Sequence, residues 1–419
     1  MAPPATIRLG LDRVKKVLAR LGHPECDFAS VLVAGTNGKG SVSSLIESAA
    51  RAAGVKTGLF TSPHLVDERE RVRVLGFKVP AAEWRRLKNE ARRVSRAVRA
   101  PLTEFEIHTV AAFRHFQRRG VELAAVEVGL GGRLDSTNTL PAPEVTVITS
   151  IGHDHLAWLG PTLRHVLREK LGICRPGTPL LYSVPASLGA AVDAFCRGHL
   201  VAAGRLGREF RVTGASSDWG NRAQRLSVQC YGARYKSLKM SLLGPHQRAN
   251  AALAVAALDR LRAAGWMITA RDVAKGFSAA AWPGRFQIIP GRRGEAMAIV
   301  DGAHNVEGAE ALAAAYAASP WGGRRAPLIF GCLQDKDAEG LIERLAPLAR
   351  RVFTVPLATS RGRDAESLAA LWRRRAPAFA CRNFAEAWRA ARREGPAPVL
   401  VAGSLYLVGE ALASFGKAP

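Results

Sequence analysis

Val31-Leu32-Val33-Ala34-Gly35-Thr36-Asn37-Gly38-Lys39-Gly40-Ser41 reads as a buried strand, a glycine-rich turn and the opening of a helix. Glycines let backbone N–H groups curl around phosphate oxygens, a helix N-terminus adds partial positive charge, and Lys39 adds a full one from a solvent-facing position. The segment predicts a nucleoside triphosphate site. It departs from the common phosphate loop because Gly40 separates Lys39 from Ser41. Taken alone, the loop suits an ATPase or a kinase as readily as a ligase.

Short β-branched and apolar runs alternate with longer helical patterns on both sides of this loop: AAVEVGL at 124 to 130, VTVITSIG at 145 to 152, and the apolar helical stretch NAALAVAALDRLRAA from Asn250. Such alternation implies βαβ units and a largely parallel sheet covered on both faces. The helical pattern stops near Trp282-Pro283-Gly284, after which AMAIVDGAH, PLIFGCL, RVFTVPL and PVLVAGS form a second alternating series. The expected fold is α/β: a mostly parallel-sheet ATP-binding domain carrying the phosphate loop over residues 1–282, then a smaller Rossmann-like α/β domain over 283–419. A chain of 419 residues, 48% hydrophobic and with a mean hydropathy of zero, is long enough for two cores.

Composition narrows the function classes. Cys26, Cys174, Cys196, Cys230, Cys332 and Cys381 never form the close pairs that zinc or dithiol chemistry needs, so a reducing cytoplasm is expected. The opening MAPPATIRLG lacks a leader's apolar core, and no run approaches the roughly 18 apolar residues that span a bilayer. The formal charge of +25 comes mainly from arginines such as Arg85, Arg86, Arg92 and Arg93 along helical patterns. That charge keeps a nucleic-acid-stimulated ATPase open as an alternative. Against it, no aromatic-rich strand pattern, zinc finger or basic arm is present, and anionic small molecules also favour a basic surface. No specific nucleic-acid partner, no membrane association and a monomer are expected.

Two strand ends carry chemistry. Glu127 ends a hydrophobic strand and precedes the turn-forming GLGGRLDSTN, which places its carboxylate at the sheet edge where open α/β folds bind ligands. A carboxylate beside ATP suits magnesium. The next strand ends in Ile151-Gly152-His153-Asp154-His155, where an imidazole would complete a metal site; spacing alone does not choose between His153 and His155. Lys170, following Glu169, reads by itself as a helix-surface cation in an ion pair.

GTNGKGS at 35 to 41, TSPHL at 61 to 65, EVGLGGRLDSTN at 127 to 138, ITSIGHDH at 148 to 155, EKLGI at 169 to 173, GPHQRAN at 244 to 250, PGRF at 283 to 286, DGAHN at 301 to 305, DKD at 335 to 337 and GSLYL at 403 to 407 resemble the successive motifs of the dihydrofolate synthase and folylpolyglutamate synthase family, within the Mur ligases. The resemblance implies ATP-dependent addition of L-glutamate to dihydropteroate, and further to the γ-carboxylate of reduced folates, through an acyl phosphate. The second domain would then be the glutamate-ligase domain. Another Mur-type amide ligase is the runner-up.

By the same resemblance, Asn37, Gly38, Lys39, Gly40 and Ser41 hold ATP phosphates, Asn250 and Arg285 contact nucleotide, and Asp301 meets the ribose. Ser62, Glu127 and His155 bind magnesium, two ions being expected, and Lys170 carries a carbamate that serves as an anionic oxygen ligand. Gly10, Leu11 and Asp12, Thr103, Glu104, Phe105 and Glu106, and Leu134, Asp135 and Ser136 match pterin-binding segments. His304 and Ser404 lie near the incoming glutamate, with His304 a candidate proton acceptor. The chain departs from the family pattern at Glu68, where an aromatic residue often precedes Glu70-Arg71, at Val306, where proline usually follows DGAHN, and at Leu171, usually alanine. The first bears on the shape of the substrate loop; the others read as packing variation.

Overall fold

The computed structural model describes residues 7–291, 296–395 and 397–417; residues 1–6, on which the absence of a leader was partly read, lie outside them. The strands, in chain order, are β1 (Ala29–Ala34), β2 (Thr57–Phe60), β3 (Val72–Val74), β4 (Phe77–Lys78), β5 (Leu123–Glu127), β6 (Val145–Ile148), β7 (Leu180–Tyr182), β8 (Ala203–Arg205), β9 (Phe210–Asp218), β10 (Ala223–Cys230), β11 (Ala233–Met240), β12 (Gln287–Ile289), β13 (Ala298–Val300), β14 (Ala326–Phe330), β15 (Ala349–Thr354), β16 (Ala378–Ala380) and β17 (Val399–Ala402). They form an eight-stranded sheet ordered β4-β3-β2-β5-β1-β6-β7-β8, a three-stranded sheet β11-β10-β9 and a six-stranded sheet β12-β13-β17-β14-β15-β16.

In the first sheet β1 lies between β5 and β6, parallel to both, in the register Val33↔Glu127 and Val33↔Val147. The phosphate loop, Glu127 and the 149–155 segment therefore leave the sheet side by side at its carboxyl edge. The antiparallel pairs are β2–β3 and β3–β4, at one edge. The six-stranded sheet is parallel apart from β12, and its β13 and β14 deliver DGAHN and DKD at their own carboxyl ends.

Of the helices, α1 spans Asp12–Arg20, α2 Lys39–Ala52, α3 Ala81–Ala97, α4 Glu104–Arg119, α5 Leu156–Leu159, α6 Leu163–Leu171, α7 Ala186–Gly198, α8 Pro245–Ala263, α9 Ala270–Ala279 and α10 Val306–Ala317. Val42, Leu45, Ile46 and Ala49 of α2 join Val31 and Val33 in one core, which α8 completes with Ala251 to Leu258. Small alanines let α8 lie buried on nearly every side between two layers, as its unbroken apolar run requires. It begins five residues before the Asn250 expected from sequence, because Pro245 pre-sets the first helical φ. No helix among the described residues is long and apolar enough to cross a membrane.

The close approach of α9 to α2 depends on Gly276. A Cβ there would come within 2.3 Å of the Ala49 Cα, a backbone contact that no rotamer relieves. Gly276→Ala is expected to cost about 1–3 kcal/mol, the overpacking penalty exceeding the gain in helix propensity. Urea unfolding of the purified variant checks it; an unchanged or higher midpoint would show that the two helices separate freely.

Candidate active site

A cavity of about 360 Å³ opens between the carboxyl edges of the two large sheets, lined by the whole phosphate loop, Ser62, Glu127, Asp154, His155, Lys170, Asn250, Arg285, Asp301 and His304. Gly38 adopts a left-handed conformation (φ 88°) as α2 begins, and a Cβ on it would strike the Asn250 Oδ1 at 2.4 Å. The helix can thus start at Lys39 with Asn250 pressed against its first turn. The Ser41 Oγ lies buried without a hydrogen-bond partner, an orphaned donor and acceptor at a helix N-terminus that suits a phosphate or its cation.

Lys39 is not solvent-facing. Its side chain is 16% exposed and 3.9 Å from the Glu127 carboxylate, and its Nζ donates to the carbonyls of Gly35 (3.1 Å) and Thr36 (3.2 Å). The loop's own carbonyls hold the cation within the cavity wall. Glu127 accepts from the Ser62 N–H at 3.1 Å. Burial pushes its carboxyl above the usual range, against the pull of Lys39 and the Ser62 N–H; a cation would return it to the anionic form.

Lys170 departs furthest from its plain reading as a surface cation. Only 4% exposed, it donates from Nζ to the Gly35 carbonyl at 2.9 Å, while Glu169 pairs instead with Arg133 at 2.8 Å. Burial, aided by Lys39, lowers its ammonium to about 7. His155 takes a left-handed conformation (φ 55°) before α5, and burial lowers its imidazolium to about 4. A neutral imidazole is the form that ligates. His155 and not His153 lines the cavity; the His153 N–H donates to Glu307 at 2.7 Å.

From the second sheet, the Asp301 carboxylate accepts from the backbone N–H of Phe286 (2.7 Å) and Ala303 (2.8 Å), so it braces its own loop as well as lining the cavity. Gly302 leaves room for Arg285, whose Nη1 a Cβ would meet at 2.3 Å. The Nδ1 of His304 lies 2.7 Å from the Gly302 carbonyl, and its Nε2 is 3.7 Å from Asp154. Ser404 is buried and caps the last helix, Leu405–Ser414, by accepting from the Tyr406 N–H.

The remaining expected substrate residues gather beside the cavity rather than in its wall. The Gly10 N–H donates to the Leu134 carbonyl at 3.4 Å. Arg13, one residue beyond Asp12 in the first turn of α1, binds Glu106 at 2.8 Å, and Ser136 bonds Thr109 at 2.7 Å. Thr103 and Glu106 form the capping box of α4. Phe105 packs over Gly129, where a Cβ would come 2.3 Å from the ring, linking this cluster to the cavity through the Glu127–Gly131 turn. Leu11 flanks α1 as its N-cap. Glu104 is exposed and paired with Arg92. Asp135 is buried, and its oxygens accept from the N–H groups of Leu130 and Thr137 and from the Thr137 hydroxyl, which braces the turn. Motif reading assigned no role to Asp154, Asn305, Glu307 or Lys336; polar residues in the loops and helix start that follow β6, β13 and β14 were the available signal.

Residues 33–258 match the family model of the Mur ligase middle domain, and residues 284–405 that of the Mur ligase glutamate ligase domain. The dihydrofolate synthase/folylpolyglutamate synthase of Escherichia coli is 36% identical over 410 residues, covering 96% of this chain and 90% of that protein. The chain belongs to this family of Mur ligases. The Bacillus subtilis dihydrofolate synthase/folylpolyglutamate synthase is 35% identical over 83% of this chain and 80% of its own length. The solved Escherichia coli FolC in complex with DHPP and ADP superimposes with a TM-score of 0.88 at 34% identity, covering 98% of this chain and 94% of that one. Mycobacterium tuberculosis folylpolyglutamate synthase complexed with ADP and AMPPCP gives a TM-score of 0.90 at 28% identity, covering 98% and 96%. This family member is an ATP-dependent ligase of folate metabolism, built as a two-domain Mur ligase.

Proposed function

We propose that this ligase joins L-glutamate to the carboxylate of dihydropteroate, and to the γ-carboxylate of reduced folates, by way of an acyl phosphate. The observation that carries the reading is the facing of two sets of residues across one cavity: a phosphate loop with Lys39, Glu127 and His155 on one sheet, and Arg285, Asp301 and His304 on the other. A carboxylate resists amines because its charge repels them and its oxygen leaves poorly. Attack of its oxygen on the γ-phosphorus of ATP expels ADP and makes that oxygen a leaving group; the glutamate amine then attacks the acyl carbon and phosphate departs.

Lys39 and the N–H groups of Gly38 to Ser41 would counter charge on the transferring phosphoryl group, so that positioning supplies most of the acceleration. Ser41, Ser62, Glu127 and His155 offer an orphaned hydroxyl, a second hydroxyl, a carboxylate and a neutral imidazole, a set that accommodates magnesium, two ions being proposed. Bound there, magnesium supplies Lewis-acid neutralisation of phosphate oxygens. Lys170, with its ammonium lowered to about 7, has the neutral amine needed to take up carbon dioxide as a carbamate, losing a proton and becoming anionic.

The amine must shed a proton as the amide forms. With its Nδ1–H donating to the Gly302 carbonyl, His304 keeps Nε2 free to accept it, and the resulting cation would lie 3.7 Å from Asp154. The two units, divided near residue 283, would close before chemistry and keep water from the acyl phosphate. The protein is proposed to act as a cytoplasmic monomer without a specific nucleic-acid partner.

Glu127→Ala tests the cation assignment. The variant should resemble wild type depleted of magnesium, with turnover lower by about 100-fold or more through lost charge positioning, and activity should recover only partly at high magnesium. Full turnover at ordinary magnesium would place the metal elsewhere.

A further inference from the structure

Apart from Asn37 in the phosphate loop and the nearness of Asp154 to His304, the buried polar contacts through which the two sheets meet are not used by the proposed chemical steps. Asn305 is 4% exposed, and every hydrogen-bonding position of its amide is taken. Its Oδ1 accepts from the Gly308 N–H at 2.8 Å, capping α10, and from the Asn37 Nδ2 at 3.0 Å. Its Nδ2 donates to the Asn37 Oδ1 at 3.1 Å and to the Asp154 Oδ2 at 3.0 Å. Asn37 belongs to the phosphate loop and Asp154 to the loop after β6, so this one amide ties both to the start of α10.

Asp154 extends the junction. Its Oδ1 accepts from Lys336 at 2.5 Å, with the two side chains only 10% and 8% exposed, and also from the His155 N–H at 2.9 Å. Beside them Glu307 accepts from the His153 N–H at 2.7 Å, seated over Gly152, where a Cβ would lie 2.7 Å from its carboxyl carbon. Loops from two strands of one sheet and two of the other thus interlock through charge and amides rather than apolar side chains.

A buried ion pair adds little net stability, since desolvation offsets most of its attraction, yet losing one partner leaves an uncompensated charge. Such contacts favour one register of two surfaces over others. Apolar side chains of the first unit, Leu65, Trp219 and Leu243, also pack against the second unit's cores, but they set no specific register, whereas the polar groups do and can be rehydrated when the units part.

We propose that Asn305, Asp154 and Lys336 form a polar latch that fixes the register in which the second unit closes over the phosphate loop, making them positioning residues for the ligation. The proposal rests on the two-unit ligase reading above. Closing would bring His304 and Arg285 to the phosphate loop only when Asn37 and Asp154 are correctly placed, so the junction checks the loop's geometry before chemistry. Of the three, Asp154 alone touches both of the others and is the centre of the device.

The test compares Asp154→Asn, Lys336→Met and their double variant by steady-state ligation and by small-angle X-ray scattering with an unhydrolysed ATP analogue. Each single change should lower kcat by about 30-fold or more, as truncation of one partner of a buried charge pair does, and should enlarge the radius of gyration. The double variant should be no worse than the poorer single one, because either single change already breaks the Asp154–Lys336 pair. Should Asp154→Asn fail to fold, Asn305→Ala is measured in the same two ways. Additive losses, a fall in kcat at unchanged radius, or a larger radius at unchanged kcat would each overturn the latch. The scattering result stands whichever acid is ligated, so failure of the substrate assignment is distinguishable from failure of this proposal.

Discussion

Lys39→Ala should yield a folded protein that no longer ligates. Lys39 caps no core: its ammonium is held by carbonyls of its own loop and faces the Glu127 carboxylate across 3.9 Å. Deleting it removes the one full positive charge within the strand-turn-helix segment where phosphate is expected to bind. Loss of a preorganised charge at a developing transition state costs about 10² to 10³ in turnover, and more when the same group also holds the ground-state nucleotide. Circular dichroism and the unfolding midpoint should stay close to wild type, while product formation falls below detection in a standard assay. A folded variant ligating at a near-normal rate would remove the ATP-site assignment.

Lys170→Ala is expected to have an effect of similar size, for a different reason. An exposed ion pair would contribute about 0–1 kcal/mol, but this amine is buried against the Gly35 carbonyl with its ammonium lowered to about 7. As a carbamate it would place an anionic oxygen beside the cation and phosphate, so its removal should cost orders of magnitude in turnover, about 10² or more. Acetate or formate entering the vacated space should restore part of the activity. The pH dependence has a definite sign. Only the neutral amine takes up carbon dioxide, and each uptake releases a proton, so the modified fraction falls as pH drops through about 7. Activity of the wild type should decline on that acidic limb and be partly recovered by added bicarbonate. Mass spectrometry of the native protein reads the adduct directly; a Lys170→Ala enzyme turning over at the wild-type rate would eliminate the carbamate.

The features legible in the sequence are those set by local signals. Gly35 to Ser41 declares itself because a β-branched run, glycines needing unusual backbone angles and a helix start follow one another within eleven residues. Glu127 was readable for the same reason: its strand and the turn after it are contiguous. Lys170 was not, since its burial depends on a carbonyl 135 residues away; nothing in EKLGI distinguishes a cation under a loop from one in water. The Asp154–Lys336 contact joins positions 182 residues apart, and neither motif alone shows that the two sheets present their carboxyl edges to each other. Asp135 and Asp301 show what motif position leaves out: the Asp135 oxygens serve donors of its own turn, and Asp301 accepts from the Phe286 and Ala303 N–H groups while also lining the cavity, because a buried carboxylate satisfies nearby donors.

The departure at Glu68 also has a structural counterpart. Its carboxylate binds Lys88 of α3 and lies 3.3 Å from His108 of α4, so an ionic tie fastens the segment after TSPHL to the helices. Some of the arginines along α3 and α4 are paired internally, Arg92, Arg118 and Arg119 each being held by a carboxylate.

Phosphate release from ATP, measured over a matrix of dihydropteroate, tetrahydrofolate, L-glutamate and polynucleotide, tests the central claim most directly. Release should require magnesium, a pterin-linked carboxylate and L-glutamate together, in equal amount to the amide formed. Hydrolysis that proceeds without glutamate and rises with polynucleotide would contradict it.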